Sequence, residues 1–74
     1  MERTDTLKEI GKQIKSVKEY NSTTSYWGVY QNIRFRCNDH IVTANGMVIG
    51  EATSKVEMCV VIFNYLKDRE DVGR

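Results

Sequence analysis

Proline is absent from all 74 residues, and the chain has one tryptophan, one histidine and two cysteines. Without proline, no fixed φ or missing amide donor breaks an element, so glycine, asparagine and other turn residues must end helices and strands. Two cysteines, Cys37 and Cys59, are too few for a disulfide framework and suit a reduced compartment. No apolar run reaches the roughly 18 residues that mark a membrane span. The stretch MERTDTLKEIGKQIK is charged throughout and lacks the apolar centre of a secretory signal. These absences lead us to expect a cytoplasmic protein with no membrane partner. An excess of one charge is also missing, since the net charge is +1.

What is present suits a single globular domain over residues 1–74, with 41% apolar and 28% charged side chains. A chain of this size buries only about 60% of its unfolded surface, so its core is thin. The charge is uneven. Residues 1–37 carry seven basic and four acidic side chains, whereas residues 38–74 carry four and six. Basic surface is therefore expected from the first half.

Leu7, Ile10, Ile14 and Val17 recur at helical spacing and predict a helix over about 5–19, capped by Thr4 or Asp5. Lys8, Lys12 and Lys15 fall on a second stripe of that helix. NSTTS, residues 21–25, reads as a polar linker. YWGVYQNIRFRC predicts one strand over about 26–37, with Ile33, Phe35 and Cys37 alternating against Arg34 and Arg36. Asn38-Asp39 and Asn45-Gly46 read as two-residue turns that bound strands at about 40–44 and 47–51. That register sets Phe35 beside Val42, Val42 beside Ile49, Ile33 beside Ala44 and Ala44 beside Met47, all on one apolar face. The opposite face then receives Arg34, Arg36, Ile41, Thr43, Val48 and Gly50. The segment Tyr26 to Gln31 is left without a partner strand and must either bend at Gly28 or pair with something else. Ser54 and Glu57 form a capping box that opens a second helix over about 54–68, followed by a polar tail at 69–74. The expected fold is α+β, a helix, a three-stranded antiparallel meander and a helix (αβββα), with both helices on one face of the sheet.

This order resembles the double-stranded-RNA-binding domain, and two stretches carry the likeness. NGMVIGEATSKVEM, Asn45 to Met58, is similar to that family's third strand and second helix, and TLKEIGKQ, Thr6 to Gln13, to its first helix. The resemblance implies contact positions at Glu9, Gln13 and His40. Where the family opens its second helix with several lysines, this chain has Lys55 followed by Val56, Glu57, Met58 and Cys59. In size and element order the chain is also similar to small phage inhibitors such as anti-CRISPR proteins, which implies blocking of a host nucleoprotein.

The expected function is non-enzymatic and needs no cofactor: a small regulatory or inhibitory protein that docks on a protein or nucleoprotein partner. A nucleic-acid-binding module and a self-associating structural module are the alternatives. Arg34 and Arg36, with Tyr26 and Tyr30 placed beside them, form a candidate basic–aromatic patch that could hold phosphates or stack bases. Lys8, Lys12 and Lys15 are the second candidate, and Trp27 is expected to lid the core. Cys37, His40 and Cys59 with Asp39 could supply zinc ligands, but two small core cysteines account for the pattern better. The second helix is apolar over too wide an arc for one sheet face, which points to a homodimer through Val56, Val60 and Val61 or through the unpaired Tyr26 to Gln31 edge.

Overall fold

The computed structural model describes residues 3–18 and 24–72. Within them the chain is α+β: α1 (Arg3–Gln13), β1 (Lys15–Lys18), β2 (Thr24–Tyr30), β3 (Ile33–Asn38), β4 (Ile41–Ala44), β5 (Met47–Glu51) and α2 (Lys55–Val72). The five strands form one antiparallel sheet in the order β1-β2-β3-β4-β5. Three strands were expected, and the difference has two sources.

The first is a turn inside the predicted long strand. Gln31 and Asn32 adopt φ of 53° and 65°, so β2 folds back on β3 with Tyr30 paired to Ile33. The second is the early end of α1. The helix begins at Arg3, ahead of the expected cap, and stops at Gln13 rather than at about residue 19. The chain then runs as β1 along β2, pairing Lys15 with Trp27 and Val17 with Ser25. Pairing with an otherwise open strand edge wins over the continued helical stripe, in which only Leu7, Ile10 and Ile14 keep their expected roles. The segment expected to overhang is thus paired with β3 from Tyr26 to Tyr30, and at Tyr26 and Trp27 with β1 as well. Of the predicted linker, Thr24 and Ser25 belong to β2, and residues 21–23 lie outside the described residues. The predicted tail is largely helical, since α2 extends to Val72, and residues 73–74 lie outside the described residues.

All three described hairpins use two-residue loops with positive φ at both positions: Gln31-Asn32, Asp39-His40 (52° and 67°) and Asn45-Gly46 (50° and 87°). This is the type I′ geometry that matches strand twist. The second turn sits one residue later than Asn38-Asp39. Phe35 therefore pairs with Ala44 and Cys37 with Val42, instead of Phe35 with Val42. A two-residue register change keeps every side chain on its expected face, because the strand repeat is two. In the third hairpin Ala44 pairs with Met47 as expected, but a bulge at Ile49 sets Val42 opposite Gly50. Gly50, expected on the outer face, consequently turns toward α2. A Cβ there would lie 2.9 Å from Val61 Cγ1. Met47, expected in the core, remains 70% exposed.

One core lies between the sheet and the helices. Ile33, Phe35, Cys37, Val42 and Ala44 supply the sheet side, Ile10 and Ile14 come from the α1 end, and Met58, Cys59 and Ile62 come from α2. Gly28 is where α1 meets the sheet. A Cβ on it would stand 2.9 Å from the Gln13 carbonyl carbon and from Ile14 Cδ1, so only glycine allows that approach. The wide apolar arc of α2 is shared between neighbours. Val61 rests on Gly50, Cys59 faces Gly11 of α1, and Tyr65 meets Phe35 edge-on with ring centroids 6.1 Å apart. No described helix is long and apolar enough to cross a membrane.

Candidate functional site

With both helices on one side, the other face of the sheet is left to solvent. Strand alternation decides what stands on it. On β3, Ile33, Phe35 and Cys37 are buried, and Arg34 and Arg36 are exposed. On β2 the residue opposite Arg36 is Trp27, and the residue opposite Arg34 is Val29. Lys15 of β1 pairs with Trp27, Arg36 pairs with Thr43, and Thr43 pairs with Val48. One row therefore crosses all five strands: Lys15, Trp27, Arg36, Thr43, Val48. The Val29–Arg34 pair stands beside it.

This arrangement corrects two expectations. Tyr26 and Tyr30 pair with Cys37 and Ile33, so they turn to the helix side and pack against the core. The unforeseen turn at Gln31-Asn32 gives the outer positions to Trp27 and Val29 instead. Trp27, expected to lid the core, is 40% exposed on the outer face. Arg34 and Arg36 stand on that face as expected. The predicted lysine stripe is divided. Lys8 and Lys12 stay exposed on α1, on the helix side, whereas Lys15 joins the outer sheet face.

Asn45 holds the start of β3, because the Arg34 N–H donates to Asn45 Oδ1 at 3.0 Å and the Asn45 N–H donates to the Arg34 carbonyl at 2.8 Å. The Lys15 ammonium sits over the Trp27 ring, 5.7 Å from its centroid. Three shallow depressions adjoin one another on this face. One lies between Val29, Arg34, Thr43 and Asn45, one among Trp27, Arg34 and Arg36, and one between Val17, Trp27 and Asn38, and Arg36 borders all three. The charge here is mainly of one sign: Lys15, Arg34 and Arg36, with Glu51 at the far edge opposite Ile41. Such a surface can hold anionic groups and offer an aromatic ring between them.

A further depression, on another part of the molecule, involves Tyr26, Cys37, His40 and Thr53. Its chemistry is subdued. The Cys37 thiol is directed at the Ala52 carbonyl, 3.6 Å away, and burial pushes its pKa up, which keeps it protonated and poorly nucleophilic. Burial raises the Cys59 thiol too, against a smaller opposing effect of Lys55. Both cysteines are unpaired core residues. Among the described residues, no three His, Cys, Asp or Glu side chains gather where they could hold a metal ion.

The residues proposed for self-association separate. Val61 is packed against the core, Val60 is half-buried, and Val56 is 74% exposed.

Compared with known proteins, the chain matches no family model, no curated protein and no solved structure.

Proposed function

We propose that this is a small non-enzymatic binding protein that docks through the outer face of its sheet onto an anionic macromolecular partner, and so regulates or inhibits that partner by occupying its surface. A nucleoprotein of the kind that small phage inhibitors block would present such a surface. The observation that carries the reading is the uncovered row of Lys15, Trp27 and Arg36, with Arg34 beside it, on a sheet whose other face is covered by two helices. Like charges gathered on a solvated sheet face add nothing to its stability. Here an indole and three cations stand together there. Rigid β-strands hold these groups at fixed spacing, which lowers the ordering cost of binding.

The test replaces Arg34 and Arg36 by alanine together. Both side chains are exposed, so stability should change by no more than about 0.5 kcal/mol. The wild-type chain and the double variant are each used to capture partners from a cell lysate, with and without nuclease. The expected result is that the double variant melts like the wild type and loses the captured partner. Undiminished capture by a folded double variant would place the docking site elsewhere.

A further inference from the structure

The chemistry of the outer face is more specific than a general attraction for anions. Trp27 is the one tryptophan of the chain, and it stands in the middle of the basic residues rather than at their edge. Lys15 is its cross-strand neighbour on one side and Arg36 on the other. Arg34 and Arg36 are two positions apart on β3, so their Cα atoms are separated by about 6.7 Å along the strand. That repeat is close to the spacing of successive phosphates along an extended nucleic-acid strand. A cation, a flat aromatic surface and two more cations at strand spacing are what a single strand needs for its backbone and one unstacked base.

Building on the docking face proposed above, we infer that it binds single-stranded nucleic acid, with one base stacked on Trp27 and the flanking phosphates held by Arg34, Arg36 and Lys15. In the free protein Lys15 covers the indole, its ammonium 5.7 Å from the ring centroid. A lysine side chain on an edge strand is flexible, and a base that enters displaces it onto the neighbouring phosphate. The lysine thereby exchanges a cation–π contact for a charge-assisted hydrogen bond. Three other occupants fit less well. A second copy stacked face to face would oppose arginines to arginines. A duplex hides its bases and would leave Trp27 without a partner. An acidic protein surface would satisfy the cations and likewise leave the indole unstacked.

Trp27 makes the test direct, because its fluorescence reports on its own stacking. The protein is titrated with a twelve-residue oligothymidylate, with a duplex of twelve base pairs and with polyglutamate, at several salt concentrations. Binding is followed in parallel by anisotropy of end-labelled oligonucleotide. The single strand is expected to quench Trp27 to saturation, with a slope of log K against log salt near about −2, for three cations at roughly 0.7 each. Trp27→Ala is expected to weaken anisotropy-detected binding by on the order of tenfold while keeping that slope. Arg34→Ala with Arg36→Ala should reduce the slope to that of one cation. Circular dichroism confirms that each variant is folded.

Absence of binding to the single strand at low salt overturns the inference. So does single-strand binding that is indifferent to Trp27. If duplex or polyglutamate binds as tightly as the single strand and depends on Arg34 and Arg36, the single-strand inference falls and the docking face stands, with duplex or acidic protein as its partner. Oligonucleotide binding that is unchanged by loss of both arginines overturns the inference and the docking face together.

Discussion

At the residue scale, the start of α2 shows how one side chain can couple stability to pH. Ser54 caps the helix: its hydroxyl accepts from the Glu57 N–H at 3.2 Å. The Glu57 carboxylate completes the motif one residue earlier than the usual reciprocal bond. It accepts from the Thr53 hydroxyl and from the Thr53 N–H, the latter at 2.6 Å. The Thr53 hydroxyl, then the Thr53 N–H, and finally the nearby His40 hold its carboxyl below the ordinary value. A group whose pKa is lowered by folding stabilises the native state above its unfolded pKa, and that contribution disappears as pH falls through the folded value. Glu57→Gln is therefore expected to lower the melting temperature at neutral pH, with the wild-type and variant curves converging below the carboxylate range. Thermal denaturation from pH 7 down to about pH 2 checks this, using an ordinary glutamate pKa of about 4.3 as the reference. Curves that stay parallel into acid would remove the role assigned to Glu57.

At the element scale, three successive type I′ turns determine which face each strand presents. Only Asn45-Gly46 has the residue pair that this turn favours most. Gln31 has no such preference, yet it adopts a φ of 53°. A left-handed conformation costs an ordinary residue roughly 1–2 kcal/mol, less for asparagine and almost nothing for glycine. Replacing Gln31-Asn32 by Asn-Gly should therefore stabilise the protein by about 1 kcal/mol, a rise in melting temperature of about 4–8 °C for a domain of this size. Urea denaturation should show a higher midpoint with an unchanged slope. A lower midpoint would mean that Gln31 makes contacts that outweigh its backbone strain. This turn was also the least legible part of the sequence. A run from Tyr26 to Cys37 alternates well enough to read as one strand, although a strand of about 5–6 residues is the norm. Its length and Asn32 were the only signals of the break, and missing them exchanged Tyr26 and Tyr30 for Trp27 and Val29 on the outer face.

At the scale of the whole molecule, the question is what covers the apolar surface that a thin core leaves over. The chain solves most of it internally. β1 closes the edge of β2 from Thr24 to Trp27, α1 crosses α2 at Gly11 and Cys59, and Val61 fills the space over Gly50. A homodimer through α2 would then rest on Val56 and the open part of Val60. Two valines fall far short of the roughly 1,000 Å² that a stable interface buries. Light scattering at micromolar concentration is expected to give the mass of one chain for the wild type and for Val56→Lys alike. A two-chain mass that Val56→Lys reduces to one would establish the helix-mediated dimer instead.

The sequence by itself determined the α+β class, the α2 cap at Ser54, the Asn45-Gly46 hairpin and the division of β3 into buried Ile33, Phe35 and Cys37 and exposed Arg34 and Arg36. These follow from local chemistry and from a strand repeat of two, which a register change of two residues leaves intact. Tertiary structure decided where α1 ends, where β2 ends and which aromatic stands beside the arginines. Each of these depends on a partner distant in the chain: β2 offering its edge to Lys15–Lys18, Gly28 receiving the Gln13 backbone, and β3 pulling Gln31-Asn32 into a turn. Helical and extended preferences at residues 14–18 are nearly balanced, so the hydrogen bonds of an otherwise open sheet edge were enough to choose between them.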